Sequence, residues 1–377
     1  MKKVKVLFLI PNLMHGGAER VLVNLVNHMD ANRFNITVQT MFDAGIYKDK
    51  LNSDIRYKGG FFWYFPGNTK VFKLFSPERL FRHYIKDDYD IIVSYLEGPS
   101  ARVVGGCPKN SRAKLVCWIH VEQGTFSRAK YVFRSGKEAE RCYKRFDKTV
   151  CVSETVKKDF SSLFPYCAEP EVLYNTVESK IISEKSSEEI TDLSFSADKI
   201  NLISVAKLQY VKGYDRLIEA LKTLRENRPE IPFHLFLVGI GEEKENLEKL
   251  AQRLGLANCI TFAGFKENPY KYVKAADLYV CSSRREGFST AVTESLIVGT
   301  PVLSTDCSGA AELLGKNGEY GLIVENSTQG LYSGLEYLLT DRCFEKYIDK
   351  AKERGGAFNT ESTVNAVQDL FEELIKK

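Results

Sequence analysis

The chain has 377 residues, of which 44% are hydrophobic and 27% charged, and it contains no low-complexity tract. This length favours two domains of about 150 to 200 residues each, and the composition excludes a disordered or fibrous protein. Residues 1–178 contain 28 Lys and Arg against 19 Asp and Glu, whereas residues 179–377 contain 25 against 30. The basic half could face anionic lipid, a phosphate-rich acceptor or nucleic acid, or could simply be a solvated surface.

The nine cysteines are far apart and form no C-x-x-C pair. This usage is typical of a reduced intracellular protein, so we expect a cytoplasmic protein, with peripheral binding to the inner face of the cell membrane as an alternative location. The apolar run 5–10 ends at Pro11 and is shorter than the apolar region of a signal peptide, which predicts a first β-strand instead. No segment reaches the roughly 20 apolar residues that span a bilayer, so any membrane contact is expected to be peripheral.

The first half alternates short apolar runs with helix-length segments. After the first strand, Gly16 and Gly17 precede a helix with an apolar face from Val21 to Met29, and further strands are predicted at 35–41, 91–95, 115–119 and 149–152. Strand and helix alternation predicts a parallel sheet covered on both faces. We therefore expect an α/β domain over residues 1–178.

Residues 179–198 are polar and serine-rich, which predicts a linker or surface excursion. A second series then follows, with strands at 200–205, 233–238, 259–262, 278–282 and 301–304, and helices at 215–224, 242–254 and 289–298. This pattern predicts a second doubly wound domain over 199–357, followed by a C-terminal helix at 358–377 that returns to the first domain. Ligands are expected in a crevice at the carboxyl ends of the strands.

The segment 282–301 is the most informative in the chain. Glu286 lies in a loop after a predicted strand, Ser289 is a good helix N-cap, Glu294 lies inside the helix and Gly299 ends it. Free amides at the start of this helix form a natural seat for phosphate. Two carboxylates eight residues apart can flank that seat and accept hydrogen bonds from the paired hydroxyls of a sugar and a ribose.

This segment, E-G-F-S-x-x-x-x-E followed by Gly-Thr-Pro, resembles the E-x7-E motif of the retaining glycosyltransferases of family four. That family has the GT-B fold, in which two doubly wound Rossmann-like domains face each other across a crevice. The resemblance implies that Glu286 positions the donor sugar and that Glu294 holds the ribose. The donor-binding residues that it implies around the helix start are Gly287, Phe288, Ser289, Thr290 and Glu294.

Lys207 and Lys212 resemble the R/K-x4-K pair of the same family, at a strand end and just before a helix. A departing diphosphate gathers negative charge, so two cations directed at it stabilise the transition state more than the ground state. Many members of the family have Arg at the first position, and lysine supplies the charge without the bidentate fork. The alternative is a pair of ordinary surface lysines.

Weaker matches extend the resemblance over nearly the whole chain. Gly16 and Gly17 would approach the donor from the N-terminal domain, and His120 would lie near the donor sugar, although a buried structural histidine is an alternative; His15 is a weaker candidate. Phe265 and Lys266 are implied contacts of the donor base, unless Gly264 only makes a strand-end turn. The remaining matches are Asn175, Gly239 and Gly241.

Two further segments suggest other partners. Asp88-Tyr89-Asp90 spells the D-x-D pattern of metal-binding transferases, but its setting before a strand is ordinary, and we expect no metal and no cofactor because lysines take the place of the cation. Residues 59–84 combine many aromatic residues, including Phe62 and Trp63, with four cations, including Lys70. This composition suits a membrane interface, or else aromatic core packing. The family resemblance implies that the N-terminal domain receives the acceptor, so a lipid-diphosphate-linked acceptor is the hypothesis for this segment.

The resemblance thus implies sugar transfer from a UDP- or GDP-linked donor to a glycan or lipid-linked acceptor in surface polysaccharide synthesis. The resemblance implies retention of configuration by a same-face route, with no covalent sugar on the enzyme. A nucleotide-sugar epimerase and a non-catalytic glycan- or nucleic-acid-binding protein are the alternatives. Nucleic acid is disfavoured because the most specific residues lie in the acidic half, and a dehydrogenase is disfavoured because no G-x-G-x-x-G is present.

Overall fold

The computed structural model describes residues 3–14, 16–61 and 71–376, which form two compact units. Unit 1 comprises Met1–Val177 together with Thr360–Lys377, and unit 2 comprises Glu178–Asn359. Residues 62–70 of the aromatic and basic segment 59–84, and the weaker candidate His15, lie outside the described residues. Both units are parallel α/β structures, as the alternating sequence pattern predicted.

Unit 1 is built on a seven-stranded parallel sheet with the order β3-β2-β1-β4-β5-β6-β7. The strands are β1 (Val4–Ile10), β2 (Phe34–Thr40), β3 (Arg56–Lys58), β4 (Ile91–Tyr95), β5 (Lys114–Ile119), β6 (Lys148–Cys151) and β7 (Glu171–Val172). The helices are α1 (Gly17–His28), α2 (Pro77–Tyr84), α3 (Pro99–Val104), α4 (Phe126–Ala129), α5 (Gly136–Tyr143), α6 (Glu154–Leu163) and the C-terminal α15 (Thr360–Lys376). The central strands are almost continuous apolar runs because helices cover both faces of the sheet.

The C-terminal helix α15 packs against α1 in unit 1. The ring of Phe371 packs against the ring of Phe8 on the central strand β1, with their centroids 6.0 Å apart. Arg33 donates to Glu372 at 2.6 Å, and the backbone N–H of Asp30 donates to the side chain of Gln368 at 2.7 Å. The last 18 residues therefore complete the core of the unit that contains the N-terminus.

Unit 2 has a six-stranded parallel sheet with the order β10-β9-β8-β11-β12-β13. The strands are β8 (Ile200–Val205), β9 (Phe233–Val238), β10 (Ile260–Gly264), β11 (Leu278–Cys281), β12 (Val302–Thr305) and β13 (Leu322–Val324). The helices are α7 (Ser179–Lys185), α8 (Tyr214–Asn227), α9 (Lys244–Arg253), α10 (Tyr270–Ala275), α11 (Thr290–Val298), α12 (Ala310–Leu314), α13 (Thr328–Leu339) and α14 (Ile348–Gly356). In both sheets the strand order reverses beside the first strand, which is where such folds bind ligands.

The polar segment 179–198 begins with helix α7 and lies on the surface of unit 2. Polar side chains near α10 hold it in place. Lys271 donates to the carbonyl of Glu189 at 2.6 Å, and Asn268 donates to the carbonyl of Lys185 at 2.8 Å. Hydrogen bonds, the buried side chain of Ile182 and the stacking of Phe195 on Phe236 therefore attach this segment to the unit.

Candidate active site

The predicted catalytic residues of unit 2 lie where its strand order reverses, between β8 and β11. Lys207 follows β8, Lys212 ends the 3-10 turn Tyr210–Lys212, and Glu286 lies in the loop after β11. The two strands are hydrogen-bonded neighbours and run parallel, so their carboxyl ends meet at one edge of the sheet. The topology therefore brings together side chains that are more than 70 residues apart in the chain.

Lys212 and Glu286 form a direct ion pair. The ammonium Nζ lies 2.6 Å from Glu286 Oε1, and the two side chains are only 22% and 13% exposed. The hydroxyl of Ser283 donates to the same carboxylate oxygen at 2.7 Å. Burial lowers the pKa of Lys212, but the charge and hydrogen bond of Glu286 outweigh it and raise that pKa above its ordinary value. The lysine is therefore a fixed cation at neutral pH.

Gly213 allows the chain to turn from the 3-10 turn into α8 directly against β11. It has a φ of +66°, and a Cβ built on it would lie 2.1 Å from the carbonyl oxygen of Ser282. The hydroxyl of Ser282 donates to the carbonyl of Lys212 at 2.8 Å. A side chain at this position would push Lys212 away from the end of β11.

Lys207 is exposed, and its ammonium has no ion-pair partner among the residues that the structure describes. Its loop is held by the loop after β9, because the N–H of Leu208 donates to Ile240 and its carbonyl accepts from Glu243, both at 3.0 Å. A Cβ on Gly239 would lie 1.9 Å from the carbonyl oxygen of Ala206. The glycine thus permits close packing of two loops, which is a structural reason for its presence.

Helix α11 has the capped ends that the sequence predicted. The side chain of Ser289 accepts from the N–H of Val292 at 3.4 Å, and Gly299 ends the helix with a φ of +83°. The amides of Thr290 and Ala291 precede the helical ladder, as at any helix start, so they are available to an anion. Glu294 is 5% exposed and lies in the second turn.

The loop between Glu286 and this helix packs against the loop that follows β12. Phe288 is 6% exposed. A Cβ on Gly309, which has a φ of +80°, would lie 2.8 Å from the carbonyl oxygen of Gly287. The loop after β12 therefore presses against residues 287–288 and fixes the approach to α11.

Phe265 and Lys266, the predicted contacts of the donor base, have different surroundings. Phe265 is 50% exposed. Lys266 is bound to Asp192 at 2.5 Å, and the hydroxyl of Tyr272 donates to the same carboxylate at 2.7 Å. The hydrogen bond from Lys266 lowers the pKa of Asp192. Lys266 therefore anchors the surface segment 179–198, and its contact with a donor base stays a prediction.

His120 follows β5 in unit 1 and is 6% exposed. Its backbone N–H donates to the carboxyl group of Glu97 at 2.8 Å, and the centroid of its ring lies 4.5 Å from the centroid of the Tyr95 ring. Burial lowers its pKa to about 3, so the ring is uncharged at neutral pH. The Nε2 atom is buried and has no hydrogen-bond partner among the described residues, and a contact of His120 with the donor sugar stays a prediction.

Glu97 is a residue that the sequence did not single out. It follows Leu96, whose φ of +94° is rare for a branched side chain. Burial raises the pKa of its carboxyl group, while backbone hydrogen bonds from His120 and Val121 lower it. A strained turn at the carboxyl end of β4 thus places the Glu97 carboxyl group within hydrogen-bond distance of the His120 backbone.

Gly16 and Gly17 form the start of α1, with Gly16 as the N-cap in an extended conformation. They lie in unit 1, after the strand β1 that borders the reversal of strand order. Their contact with a donor stays a prediction. Asp90, from the D-x-D pattern, accepts from the N–H of Lys5 at 2.8 Å and so lies at the amino end of β4, opposite to the predicted site.

Across the described residues, no group of three or more His, Cys, Asp and Glu could hold a metal ion. A helix long and apolar enough to cross a membrane is likewise absent from the part of the chain that the structure describes.

Solved structures show what class of fold this is. HepE of Anabaena, in complex with UDP-glucose, matches 98% of this chain and 99% of its own with a TM-score of 0.75 at 20% identity. Sucrose-phosphate synthase of Thermosynechococcus elongatus matches 99% of this chain and 100% of its own with a TM-score of 0.82 at 18% identity. These likenesses and the two parallel sheets establish the GT-B fold, which confirms the predicted fold class.

Two family models match consecutive parts of the chain. Residues 15–180 match Glycosyltransferase Family 4, and residues 185–355 match Glycosyl transferases group 1. The chain therefore belongs to the group 1, family four glycosyltransferases, as the E-x7-E segment predicted.

Among curated relatives, an N-acetylgalactosamine-N,N'-diacetylbacillosaminyl-diphospho-undecaprenol 4-alpha-N-acetylgalactosaminyltransferase of Campylobacter jejuni is 35% identical over 192 residues, 50% of each chain. The lipopolysaccharide core biosynthesis glycosyltransferase LpsE of Rhizobium meliloti is 32% identical over 185 residues, 48% of this chain and 52% of its own. The match spans about half the length of these two relatives. An uncharacterized glycosyltransferase of Methanocaldococcus jannaschii is 26% identical over the whole of both chains.

Proposed function

We propose that the protein is a retaining, metal-independent glycosyltransferase that moves a sugar from a nucleoside diphosphate sugar to a glycan or lipid-linked acceptor. The observation that carries this proposal is the Lys212–Glu286 pair, 2.6 Å apart and largely shielded from water, at the strand reversal of unit 2. Family membership and the E-x7-E segment support it. The UDP-glucose complex of HepE suggests a UDP-linked sugar as the first donor to test.

In this proposal the oxygen of an acceptor hydroxyl bonds to the anomeric carbon of the donor while the bond from that carbon to the diphosphate oxygen breaks, and the hydroxyl proton passes to that departing oxygen. The nucleoside diphosphate leaves toward Lys212, Lys207 and the amides at the start of α11. Charge that develops on the departing phosphate is stabilised by groups already in place. Glu286 holds the sugar hydroxyls and keeps Lys212 protonated, while Glu294 holds the ribose. No group on the enzyme forms a covalent bond to the sugar.

The proposal is tested by transfer assays and donor calorimetry on two variants. Lys212→Ala is expected to lower turnover strongly because the leaving group loses its fixed cation, whereas Glu294→Ala is expected mainly to weaken donor binding. Lys222→Ala is the matched control, since Lys222 lies on α8 and pairs with Glu226 one turn further along that helix. Near-normal activity in both site variants would refute the assignment of Lys212 and Glu294 to the transfer site.

For the acceptor, we propose a lipid-diphosphate-linked glycan that is bound from the surface of an anionic membrane. The support is an apolar pocket of about 260 Å³ in unit 1. Its lining residues are Phe61, Val71, Phe72, Phe75, Arg79, Leu80 and His83. Leu74 beside it is 74% exposed, and Arg79 and Arg82 are exposed cations. The rest of the predicted aromatic segment, including Phe62, Trp63 and Lys70, lies outside the described residues.

This apolar surface is held in place by a buried ion pair. Arg102 is 1% exposed, contacts Glu138 at 3.0 Å and donates to the carbonyls of Phe72 and Phe75 at 2.7 and 2.8 Å. The exposed apolar side chains are thus presented by a fixed turn. Exposed apolar residues ringed by cations suit the interface of an anionic membrane. The Campylobacter relative, whose name contains an undecaprenyl diphosphate, fits this class of acceptor.

Flotation with vesicles that contain anionic lipid tests this second proposal. Leu74→Ser is expected to reduce the bound fraction, whereas Ile181→Ser, which changes an exposed apolar residue of unit 2, is expected to leave it unchanged. No binding by the wild-type protein, or equal loss in the two variants, would refute membrane contact through this surface.

A further inference from the structure

Arg216 lies in the first turn of α8 and joins it to two other loops of unit 2. Its Nη2 atom donates to the carbonyl of Ser282 at 3.1 Å and to the side-chain oxygen of Asn326 at 2.7 Å. Its Nη1 atom donates to the backbone carbonyl of Asn326 at 2.9 Å. One planar guanidinium therefore connects the end of β11 with Asn326, two residues after the end of β13.

The amide of Asn326 extends this connection. Its Nδ2 atom donates to the carbonyls of Arg284 and Asp306, each at 3.1 Å. Asp306 follows β12, so the ends of three neighbouring strands are joined through one side chain. We call Arg216 and Asn326 the clasp.

The clasp holds the loop that carries Glu286. Arg284, whose carbonyl the clasp binds, directs its own guanidinium to both carboxylate oxygens of Asp215 at 2.7 and 2.6 Å. Its N–H donates to the carbonyl of Val211 at 2.8 Å. Glu286 follows two residues later and meets Lys212 at 2.6 Å. These contacts hold the backbone that precedes Glu286 and the backbone that precedes Lys212, so they fix the position of both partners of the ion pair.

The arrangement has an electrostatic cost. Burial lowers the pKa of Arg216, and the neighbouring guanidinium of Arg284 lowers it further because two like charges are held close together. The Nε atom of Arg216 is buried and has no hydrogen-bond partner among the described residues. Departures of this kind from the best local chemistry are typical of functional sites.

We propose that Arg216 and Asn326 are positioning residues for sugar transfer, which hold Glu286 and Lys212 in register with the departing diphosphate. The proposal rests on the glycosyltransferase function proposed above. Neither residue needs to contact the donor, because both act through the backbone of residues 282–284. Loss of the clasp should lower turnover while the donor, held by Glu294 and the start of α11, still binds.

Three variants test the proposal. Arg216→Lys keeps the charge but cannot bridge the acceptors, and Asn326→Asp keeps the acceptor for Arg216 but removes the two N–H donors. Arg225→Lys is the control, because Arg225 lies on the same helix and donates to the carbonyl of Gly255, away from this loop. Amide hydrogen exchange of residues 282–289, turnover and donor KM are measured for each variant at matched fractions folded.

We expect exchange in residues 282–289 to be about tenfold faster in the two clasp variants and unchanged in the control. We expect turnover to fall about tenfold or more with donor KM within about threefold, since small misplacement affects the reacting geometry more than binding. In a double variant that combines Arg216→Lys with Asn326→Asp, the loss of turnover should be less than the sum of the two single losses, because both changes break one connection.

Unchanged exchange, or faster exchange with unchanged turnover, would overturn the positioning role. Equal losses in Arg225→Lys would also overturn it, because they would show a general effect of weakening α8. If the wild-type protein transferred no sugar, the glycosyltransferase proposal would fail and the positioning role would fail with it. The exchange data would then still show whether the clasp holds the loop.

Discussion

Replacing Gly213 by alanine should damage both the stability of unit 2 and the geometry of its site. The residue has a φ of +66° and a ψ of 26°. It lies between Lys212 and the start of α8, and an added Cβ would be 2.1 Å from the carbonyl oxygen of Ser282. Alanine therefore meets both a conformational penalty and a backbone clash.

The two effects can be estimated separately. The left-handed conformation costs about 1 to 2 kcal/mol for a residue with a side chain. Because real Cβ atoms essentially never come closer than 3.0 Å, the backbone must move by about 0.9 Å, and such overpacking typically costs about 1 to 3 kcal/mol. We expect a total loss of about 2 to 5 kcal/mol in the free energy of unfolding. A displacement near 1 Å at Lys212 can lower kcat/KM by about a hundredfold.

Urea denaturation and transfer kinetics measure the two quantities. The matched control is Gly255→Ala, since Gly255 has a φ of +71° and open space around its Cβ position. The control should lose only the conformational part and keep its kcat/KM. The reasoning would be refuted if Gly213→Ala were as stable as the control and equally active.

Three further predictions follow from buried or charged groups. Arg102→Met should lower the free energy of unfolding by about 3 to 5 kcal/mol, because it leaves Glu138 buried without its partner. Chemical denaturation of this variant, and of the double variant that also carries Glu138→Gln, would test this. Burial depresses the pKa of His120 to about 3, so its contribution to stability should be complete above about pH 6.5 and be lost as pH falls toward 3, by about 1.4 kcal/mol at pH 5.5. His120→Phe should remove that part of the pH dependence of unfolding, and an unchanged slope would contradict it. Transfer should continue after treatment with EDTA, because Lys207 and Lys212 supply the positive charge, and activity that requires added Mg²⁺ would show otherwise.

Local pattern predicted the main elements of the fold. The strand at 200–205 and the strand at 233–238 have the bounds observed for β8 and β9, and the helix at 289–298 is observed as Thr290–Val298. Helix α7 at Ser179–Lys185 was missed, because the segment is polar and its helix is kept by contacts with the rest of unit 2. The two-residue strand β7 is too short to produce a pattern.

Charged residues near the site were the least predictable. The ion pair of Lys266 was not predicted, because its partner Asp192 lies 74 residues earlier in the chain, and its contact with a donor base stays a prediction. Arg216 and Asn326 are 110 residues apart, and in the sequence each looks like an ordinary surface residue. Hydrogen-bond geometry depends on a few tenths of an ångström, which no periodic pattern specifies.

Alternating apolar and helical periods, the E-x7-E spacing and the capping residues of α11 were sufficient to define a double α/β chain and its family, because these features act over one or two turns. Which polar side chains meet was decided by the order of strands in each sheet. That order brings Lys212 to Glu286 and Arg216 to Asn326 at the same edge of one sheet. Such contacts depend on the carboxyl ends of neighbouring parallel strands, so they exist only once the whole sheet has formed.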